Sequence, residues 1–316
     1  MIKILVTGAR GQLGSVLTKT LQEKYGVHNI IASDLLDNPN FIGHFEKLDA
    51  TDYSSIEEIV INNEITEIYH LAAILSAKGE ENPLRTWNIN MKSFFNVLEI
   101  SRLHGIIKVF YPSSIAVFGN EIEHINTPQN PNLTPATVYG ISKSTGEIWG
   151  NYYYEKYGLD VRSLRYPGVI GYQSLPGGGT TDYAVNIYHS AVKKKVFNCF
   201  LEASTTLPMI FMDDAIRATL ELMDAPKENI SVRTSYNLAG MSFNPREIFE
   251  AIKKIYPNFE ISYNPDFRQE IASSWPQSIN DIDARKDWGW KPVFNLDTMS
   301  KIMIQKLEEQ YKLATI

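Results

Sequence analysis

A tyrosine and a lysine stand four residues apart in Tyr139-Gly140-Ile141-Ser142-Lys143. On a helix that spacing puts phenol and ammonium on one face, an arrangement suited to taking a proton from an alcohol. A phenol of ordinary pKa, about 10, is a poor base at neutral pH, but a nearby ammonium or other positive charge would stabilise its phenolate. Alone, the spacing is more often two surface side chains that never meet. Weight comes from Pro112-Ser113-Ser114-Ile115-Ala116-Val117-Phe118-Gly119. This run directly follows an apolar segment, 108–111, that reads as a strand, and ligands of open α/β sheets bind at the carboxyl edge of such strands.

A second constellation lies at the start of the chain. Gly8-Ala9-Arg10-Gly11-Gln12-Leu13-Gly14 joins an apolar run to a helical pattern. Its glycines fall where a chain must turn tightly and admit a pyrophosphate, and backbone N–H groups at the helix start would bind the phosphates. Asp34 follows 20 residues after Gly14. A carboxylate there accepts both adenosine-ribose hydroxyls and repels a 2′-phosphate, which favours NAD over NADP. Arg10 is the cation of this loop that could meet such a phosphate, and Leu35 and Leu36 offer none.

These residues need a scaffold that brings strand ends together. Short apolar runs at 2–6, 29–33, 45–48, 67–71, 108–111 and 160–164 alternate with amphipathic segments, the pattern of βαβ units and a parallel sheet. Leu13, Val16, Leu17 and Leu21 recur at helical spacing, as do Leu84, Trp87, Met91, Phe94, Phe95 and Leu98 after Pro83. Beyond about residue 165 the order loosens into Gly- and Pro-containing loops, with helices expected near 246–255 and from 297 onward. The expected fold is α/β: a Rossmann-type, doubly wound parallel sheet binding NAD over 1–165, rejoined by parts of 208–240. A smaller C-terminal α/β lobe, 166–316, would bind substrate.

Composition sets the outer limits. The 316 residues suffice for about two domains, and 44% hydrophobic with 21% charged residues excludes disordered, collagen-like and disulfide-scaffold classes. Thirty basic against 36 acidic residues give a net charge of −6, with no Lys/Arg run to follow a phosphate backbone. No nucleic-acid partner is expected. No stretch approaches 18 apolar residues, so no membrane association is expected either. Cys199 is the only cysteine, which precludes an intramolecular disulfide and leaves no Cys/His pattern for a metal. The first residues are too short an apolar run for a signal peptide, and a cytoplasmic location is expected.

In order along the chain, the glycine turn, Asp34, Asp49-Ala50, Leu71-Ala72-Ala73, the Ser-Ser-x-x-x-x-Gly run, the Tyr139 and Lys143 pair, and Asp287-Trp288-Gly289-Trp290-Lys291-Pro292 resemble the extended short-chain dehydrogenase/reductase family. The resemblance covers the whole chain. It implies NAD as cofactor, held by Gly8, Gly11, Gln12, Leu13, Asp34, Asp49, Ala50, Leu71, Ala72, Ala73, Asn90, Ser113, Tyr139, Lys143, Tyr166 and Pro167. It also implies that Ser114 orients the substrate oxygen, Tyr139 takes the proton and Lys143 holds the nicotinamide ribose. Two positions depart from the pattern. Phe118 stands where a tyrosine is common, and Arg165-Tyr166-Pro167-Gly168 replaces the Arg-Tyr-Phe-Asn of sugar-nucleotide epimerases, whose Asn contacts the nucleotide diphosphate. Gly168 therefore argues against a UDP-sugar.

The segments 165–170, 176–184 and 207–219, together with Leu75-Ser76-Ala77-Lys78-Gly79-Glu80 and Trp87-Asn88-Ile89-Asn90-Met91, resemble the threonine-oxidising branch of that family. This implies L-threonine as the small-molecule substrate, bound by Ser76, Ser114, Tyr139, Gly179, Thr180 and Thr181, with oxidation of its β-hydroxyl. A small zwitterion needs a few donors for its carboxylate and an acceptor for its ammonium rather than a long groove. Ser76, Thr180 and Thr181 could supply donors, and the Gly177-Gly178-Gly179 run suggests closure over substrate. The resemblance further implies a homodimer built as a four-helix bundle from the helices 83–103 and 138–157. Two rivals stand beside this reading: a sugar-nucleotide epimerase or dehydratase, and a non-catalytic NAD(H) sensor, which would have no need of the Ser, Tyr and Lys set.

Overall fold

The computed structural model describes residues 2–313. Strands β1 (Ile4–Thr7), β2 (Ile30–Asp34), β3 (His44–Lys47), β4 (Glu67–His70), β5 (Lys108–Ser114) and β6 (Asp160–Tyr166) are interleaved with helices α1 (Gln12–Tyr25), α2 (Tyr53–Asn62), α3 (Ser76–Gly79), α4 (Pro83–Leu103) and α5 (Val138–Tyr157). The remainder comprises β7 (Gly168–Ile170), α6 (Tyr183–Val192), β8 (Phe197–Cys199), β9 (Leu207–Phe211), α7 (Met212–Asp224), β10 (Tyr236–Asn237), β11 (Met241–Phe243), α8 (Pro245–Lys253), β12 (Ile261–Tyr263), α9 (Arg268–Ser273), α10 (Ile282–Trp288) and α11 (Leu296–Leu313). Among the described residues no helix is long and apolar enough to cross a membrane.

The seven-stranded sheet has the order β10-β6-β5-β4-β1-β2-β3. Every pairing in it is parallel. This is the doubly wound Rossmann arrangement anticipated from the alternating pattern, with the order reversing at β1 and β4, where ligands bind. The apolar runs are continuous because both faces are covered. Ile4 and Val6 of β1 pack with Leu17 and Leu21 of α1 and Leu222 of α7, while Leu5 packs with Ile56 of α2 and Phe94 and Leu98 of α4. A third core joins Ile115, Val117 and Phe118 to α6, α8 and α11. Sheets of order β11-β9-β7 and β12-β8 complete the second half, and β10 returns the chain to the main sheet beside β6.

One boundary differs in a way that matters for the site. The fifth strand was expected to stop at 111, with Ser113 and Ser114 in the loop beyond, yet β5 runs to Ser114, paired in register with β6 so that Ser114 lies opposite Tyr166. Pro112 does not end it, because the pairing with β4 stops at Phe110 and β5 is from there an edge on that side, where a residue without an N–H is tolerated. Both serines are therefore fixed by sheet geometry.

Helix α5 is placed as firmly. Thr137 caps it by accepting from Gly140 N at 3.0 Å, and Glu80 Oε1 accepts from Val138 N at 2.9 Å. Lower down, Glu147 receives Arg165 Nη2 at 2.7 Å and Arg165 Nε at 3.0 Å, and Ser113 Oγ donates to it at 2.5 Å. The remaining Arg165 Nη1 donates to Gln129 O at 2.6 Å and Asn237 Oδ1 at 3.1 Å. Both ions are buried. Removing one partner of such a pair strands the other charge, at a cost of about 3–5 kcal/mol. Arg165→Met is accordingly expected to lose stability of that order in urea unfolding, and an unchanged midpoint would show that the pair does not hold α5 to the sheet.

Candidate active site

At the carboxyl edge of the sheet, between it and the second half of the chain, lies a cleft of about 240 Å³. One end is bounded by the turn from β1 to α1. Gly8 has φ +73°, and a Cβ on it would sit 2.7 Å from Ala72 N; a Cβ on Gly14 would sit 2.1 Å from Gly8 O. The glycines thus let three backbone segments meet where side chains would force them apart. Helix α1 starts behind Gly11, which makes no side-chain cap, so its first-turn amides face the cleft end available to an anion. Gly11, Gln12 and Leu13 line the cleft there, as do Leu71 and Ala73.

Asp34 closes β2 beside this turn and accepts from Arg10 N at 3.0 Å. The Arg10 guanidinium turns away and donates to Asp37 O at 3.2 Å. A carboxylate without a facing cation suits ribose hydroxyls. Of the residues expected around the cofactor, Asp34, Asp49, Ala50, Ala72 and Asn90 are not among those lining this cleft. Asp49 accepts from Thr51 N and Oγ1 within its own turn. Asn90 accepts from Ile74 N at 2.8 Å and donates to Ile74 O at 3.1 Å and to Ser142 Oγ at 3.2 Å. Its amide shapes the loop after β4 and ties it to α5. The donor set, the uncapped helix start and the close-approach glycines together fit a dinucleotide.

In the middle of the cleft Ser114, Tyr139 and Lys143 converge. Ser114 Oγ accepts from Ala116 N at 3.1 Å, which fixes its rotamer. Burial raises the Tyr139 phenol to about 12, while the Ser114 hydroxyl, hydrogen-bonded to it, pulls the other way. Burial lowers the Lys143 ammonium to about 7, opposed by the Glu147 carboxylate. Its Nζ lies 4.4 Å from the centroid of the Tyr111 ring and 5.6 Å from that of Tyr139. The spacing suggested an ammonium that steadies a phenolate. The two groups do share one face, but desolvation acts on both, so each favours its neutral form and the phenolate needs a further positive charge beside it.

His70, the last residue of β4, is buried behind this trio. Desolvation first and the Lys143 charge second lower it to about 3. Its ring nitrogens meet Thr7 Oγ1 at 2.8 Å and Ser93 Oγ at 3.3 Å, as befits a neutral core imidazole.

The far end is formed by Ser76, Gly179, Thr180 and Thr181, with Tyr166 and Pro167 along the side. Ser76 Oγ and Thr180 Oγ1 stand 3.4 Å apart. Gly168 is decisive for what enters: a Cβ there would come 2.4 Å from Met209 Sδ and 2.8 Å from Thr181 Cβ. An asparagine at this position would displace Thr181. Of the lining residues given no role from sequence, Asp182 and Trp275 are the two with polar side-chain atoms. Asp182 adjoins the Thr180-Thr181 run and could have been included; Trp275 comes from a segment with no motif, and nothing in the sequence marks it.

Residues 4–239 match the model of the NAD dependent epimerase/dehydratase family. The bovine (Bos taurus) mitochondrial L-threonine 3-dehydrogenase is 45% identical over 306 residues, 96% of this chain and 82% of that protein. Among solved structures, the GalE-like L-threonine dehydrogenase of Cupriavidus necator, in its holo form, superposes with a TM-score of 0.95 at 50% identity, covering 96% of this chain and 99% of that one. A monomeric L-threonine 3-dehydrogenase from a metagenome has the same TM-score and identity, over 97% and 99%.

The depressed Lys143 value has a thermodynamic consequence. Between about pH 7 and 10.5 the unfolded chain keeps a proton on Lys143 that the folded chain releases, so stability rises with pH across that window. Tyr139 acts oppositely, and only above pH 10. The urea midpoint of the protein is expected to gain between pH 7 and 10 relative to that of Lys143→Met; parallel profiles for the two would contradict the buried, depressed ammonium.

Proposed function

The chain belongs to the NAD-dependent epimerase/dehydratase family, and from the content of its cleft we propose that it oxidises the β-hydroxyl of L-threonine. The observation that carries this reading is the coincidence in one small cleft of the Ser114, Tyr139 and Lys143 set with a substrate end that Gly168 keeps in contact with Thr181. When bound, NAD supplies the hydride acceptor, so the products are 2-amino-3-oxobutanoate, NADH and a proton. The names of the similar proteins support the same substrate.

Ser114 Oγ holds the substrate hydroxyl within reach of Tyr139, and the Tyr139 phenolate removes its proton as the carbonyl forms. Lys143 supports the phenolate through the shared face of α5 and binds the nicotinamide ribose. Glu147, one turn further along α5, favours the charged form of Lys143. Gly8, Gly11, Gln12 and Leu13 hold the pyrophosphate, and Asp34 holds the adenosine ribose. Ser76, Thr180 and Thr181 bracket the small substrate. A sugar-nucleotide substrate is disfavoured because the diphosphate-binding asparagine of epimerases has no room at 168.

The outer faces of α4 and α5 carry exposed apolar side chains, among them Leu84, Ile148, Trp149 and Tyr152, with Trp149 edge-on to Phe95 at 4.9 Å. We take these as the helices of a homodimeric four-helix bundle. A reducing cytoplasmic setting suits the single, buried Cys199.

Turnover is followed as NADH absorbance with L-threonine and NAD. Tyr139→Phe is expected to lose about 10²- to 10⁴-fold in rate while still binding NAD; retained turnover would remove Tyr139 from its role. Light scattering tests the assembly. Twice the chain mass of 35.9 kDa is expected for the protein and the single mass for Trp149→Glu, and a single mass for the unaltered chain would remove the dimer.

A further inference from the structure

Among the described residues lining the cleft, the side chains that carry charge are Lys143 and Asp182. Lys143 is committed to Tyr139 and to the face of Tyr111. Asp182 is the carboxylate left for a ligand. Its orientation is fixed, because Oδ2 accepts from Gly178 N at 2.8 Å and from Gly179 N at 2.7 Å, while among the described residues none donates to Oδ1 and no Lys or Arg forms an ion pair with it. Arg268, whose field reaches Asp182, is paired with Asp266 at 2.6 Å and lies over the Phe200 ring. Burial raises the Asp182 carboxyl above its ordinary value, the condition of an acid that gains from a cation placed against it.

Trp275 presents the complementary feature. It is 5% exposed, and its indole Nε1 is buried without a hydrogen-bond acceptor, which is a cost unless a ligand supplies one. The orphan does not come from a loose segment. Trp275 N donates to Ala272 O at 3.1 Å, Trp275 O meets His124 Nδ1 at 2.9 Å, and Gln277 N and Ser278 N both donate to His124 O. An indole N–H only donates, and an ionised carboxylate only accepts. The two groups therefore sort opposite ends of a ligand.

We propose that the cleft reads its substrate as a zwitterion, with Asp182 Oδ1 accepting from the α-ammonium and Trp275 Nε1 donating to the α-carboxylate. This rests on reading the cleft as the site of a small β-hydroxy amino acid. It extends that reading by selecting the free amino acid against hydroxy acids, amino alcohols and N-acylated forms, and it gives Gly178 and Gly179 a function: their amides aim the carboxylate.

The test uses the NADH-loaded protein, with binding read from the fluorescence of bound NADH. Three ligands are compared: L-threonine, 1-amino-2-propanol, which lacks the carboxylate, and 3-hydroxybutyrate, which lacks the ammonium. In the unaltered protein each truncated ligand is expected to bind about ten- to a hundredfold more weakly than L-threonine. Trp275→Phe, which keeps the ring and removes the donor, should weaken L-threonine and 3-hydroxybutyrate by about that factor and leave 1-amino-2-propanol unchanged. Asp182→Asn, which keeps an oxygen for the two glycine amides, should weaken L-threonine and 1-amino-2-propanol and leave 3-hydroxybutyrate unchanged. Equal losses for all three ligands, or equal affinity of the unaltered protein for all three, would overturn the proposal. NADH formation from L-threonine and NAD is scored separately, so that threonine bound with this selectivity but not oxidised would overturn the reaction and leave the two poles standing.

Discussion

A buried carboxylate, Glu147, holds three elements in one place. It takes both Nε and Nη2 of Arg165 from β6, accepts the Ser113 hydroxyl from β5, and stands one turn beyond Lys143 on α5. Through Arg165 Nη1 the same pair reaches Gln129 and Asn237, and so the long connection before α5 and the returning strand β10. A buried pair of this kind is a weak source of net stability but a strong source of register, because any shift that separates its members leaves a bare charge in an apolar surrounding. The positions of Ser114 at the end of β5 and of Tyr139 and Lys143 on α5 follow from it. Two neighbouring residues on the sheet, Ser113 and Ser114, divide the work: one anchors the helix and the other faces the cleft.

The electrostatics of the cleft follow from the same burial. Tyr139 and Lys143 sit in low dielectric with one ring face and one hydroxyl for company, so neither is charged cheaply. Acid and base are matched by suppression of both charges rather than by a standing ion pair. The surrounding groups keep this balance: His70 is held neutral by its own burial and by the Lys143 charge, and the Glu147 carboxylate opposes the loss of the Lys143 proton. The proton-accepting form of Tyr139 thus depends on positive charge delivered to the cleft, which couples its basicity to occupancy.

At the other end, the space around Gly168 adds a steric limit. Gly168 begins β7, whose parallel neighbour β9 places Met209 against it, and Thr181 closes over it from the loop before α6. Here a side chain on Gly168 would meet those of Met209 and Thr181, and the cleft ends in the hydroxyls of Ser76, Thr180 and Thr181.

Much of this was legible along the chain. The alternation of apolar runs with helical spacing determined the doubly wound sheet, because strands buried on both faces must be apolar throughout and the connecting helices must carry one apolar stripe. The glycine turn and Asp34 are local signals, whereas the spacing of Tyr139 and Lys143 puts them on one helix face and only the fold brings that face to the cleft. What the sequence left open was set by contacts between distant segments. The run of β5 through Pro112 to Ser114 depends on register with β6, the hydrogen bonds of Asn90 depend on Ile74 and Ser142, and the charge states of Tyr139 and Lys143 depend on burial that no local pattern reports. Trp275 is the clearest case. It reaches the cleft only because His124 and its neighbours hold a motif-free segment there, and whether a lone tryptophan is core or site is a property of the packing around it.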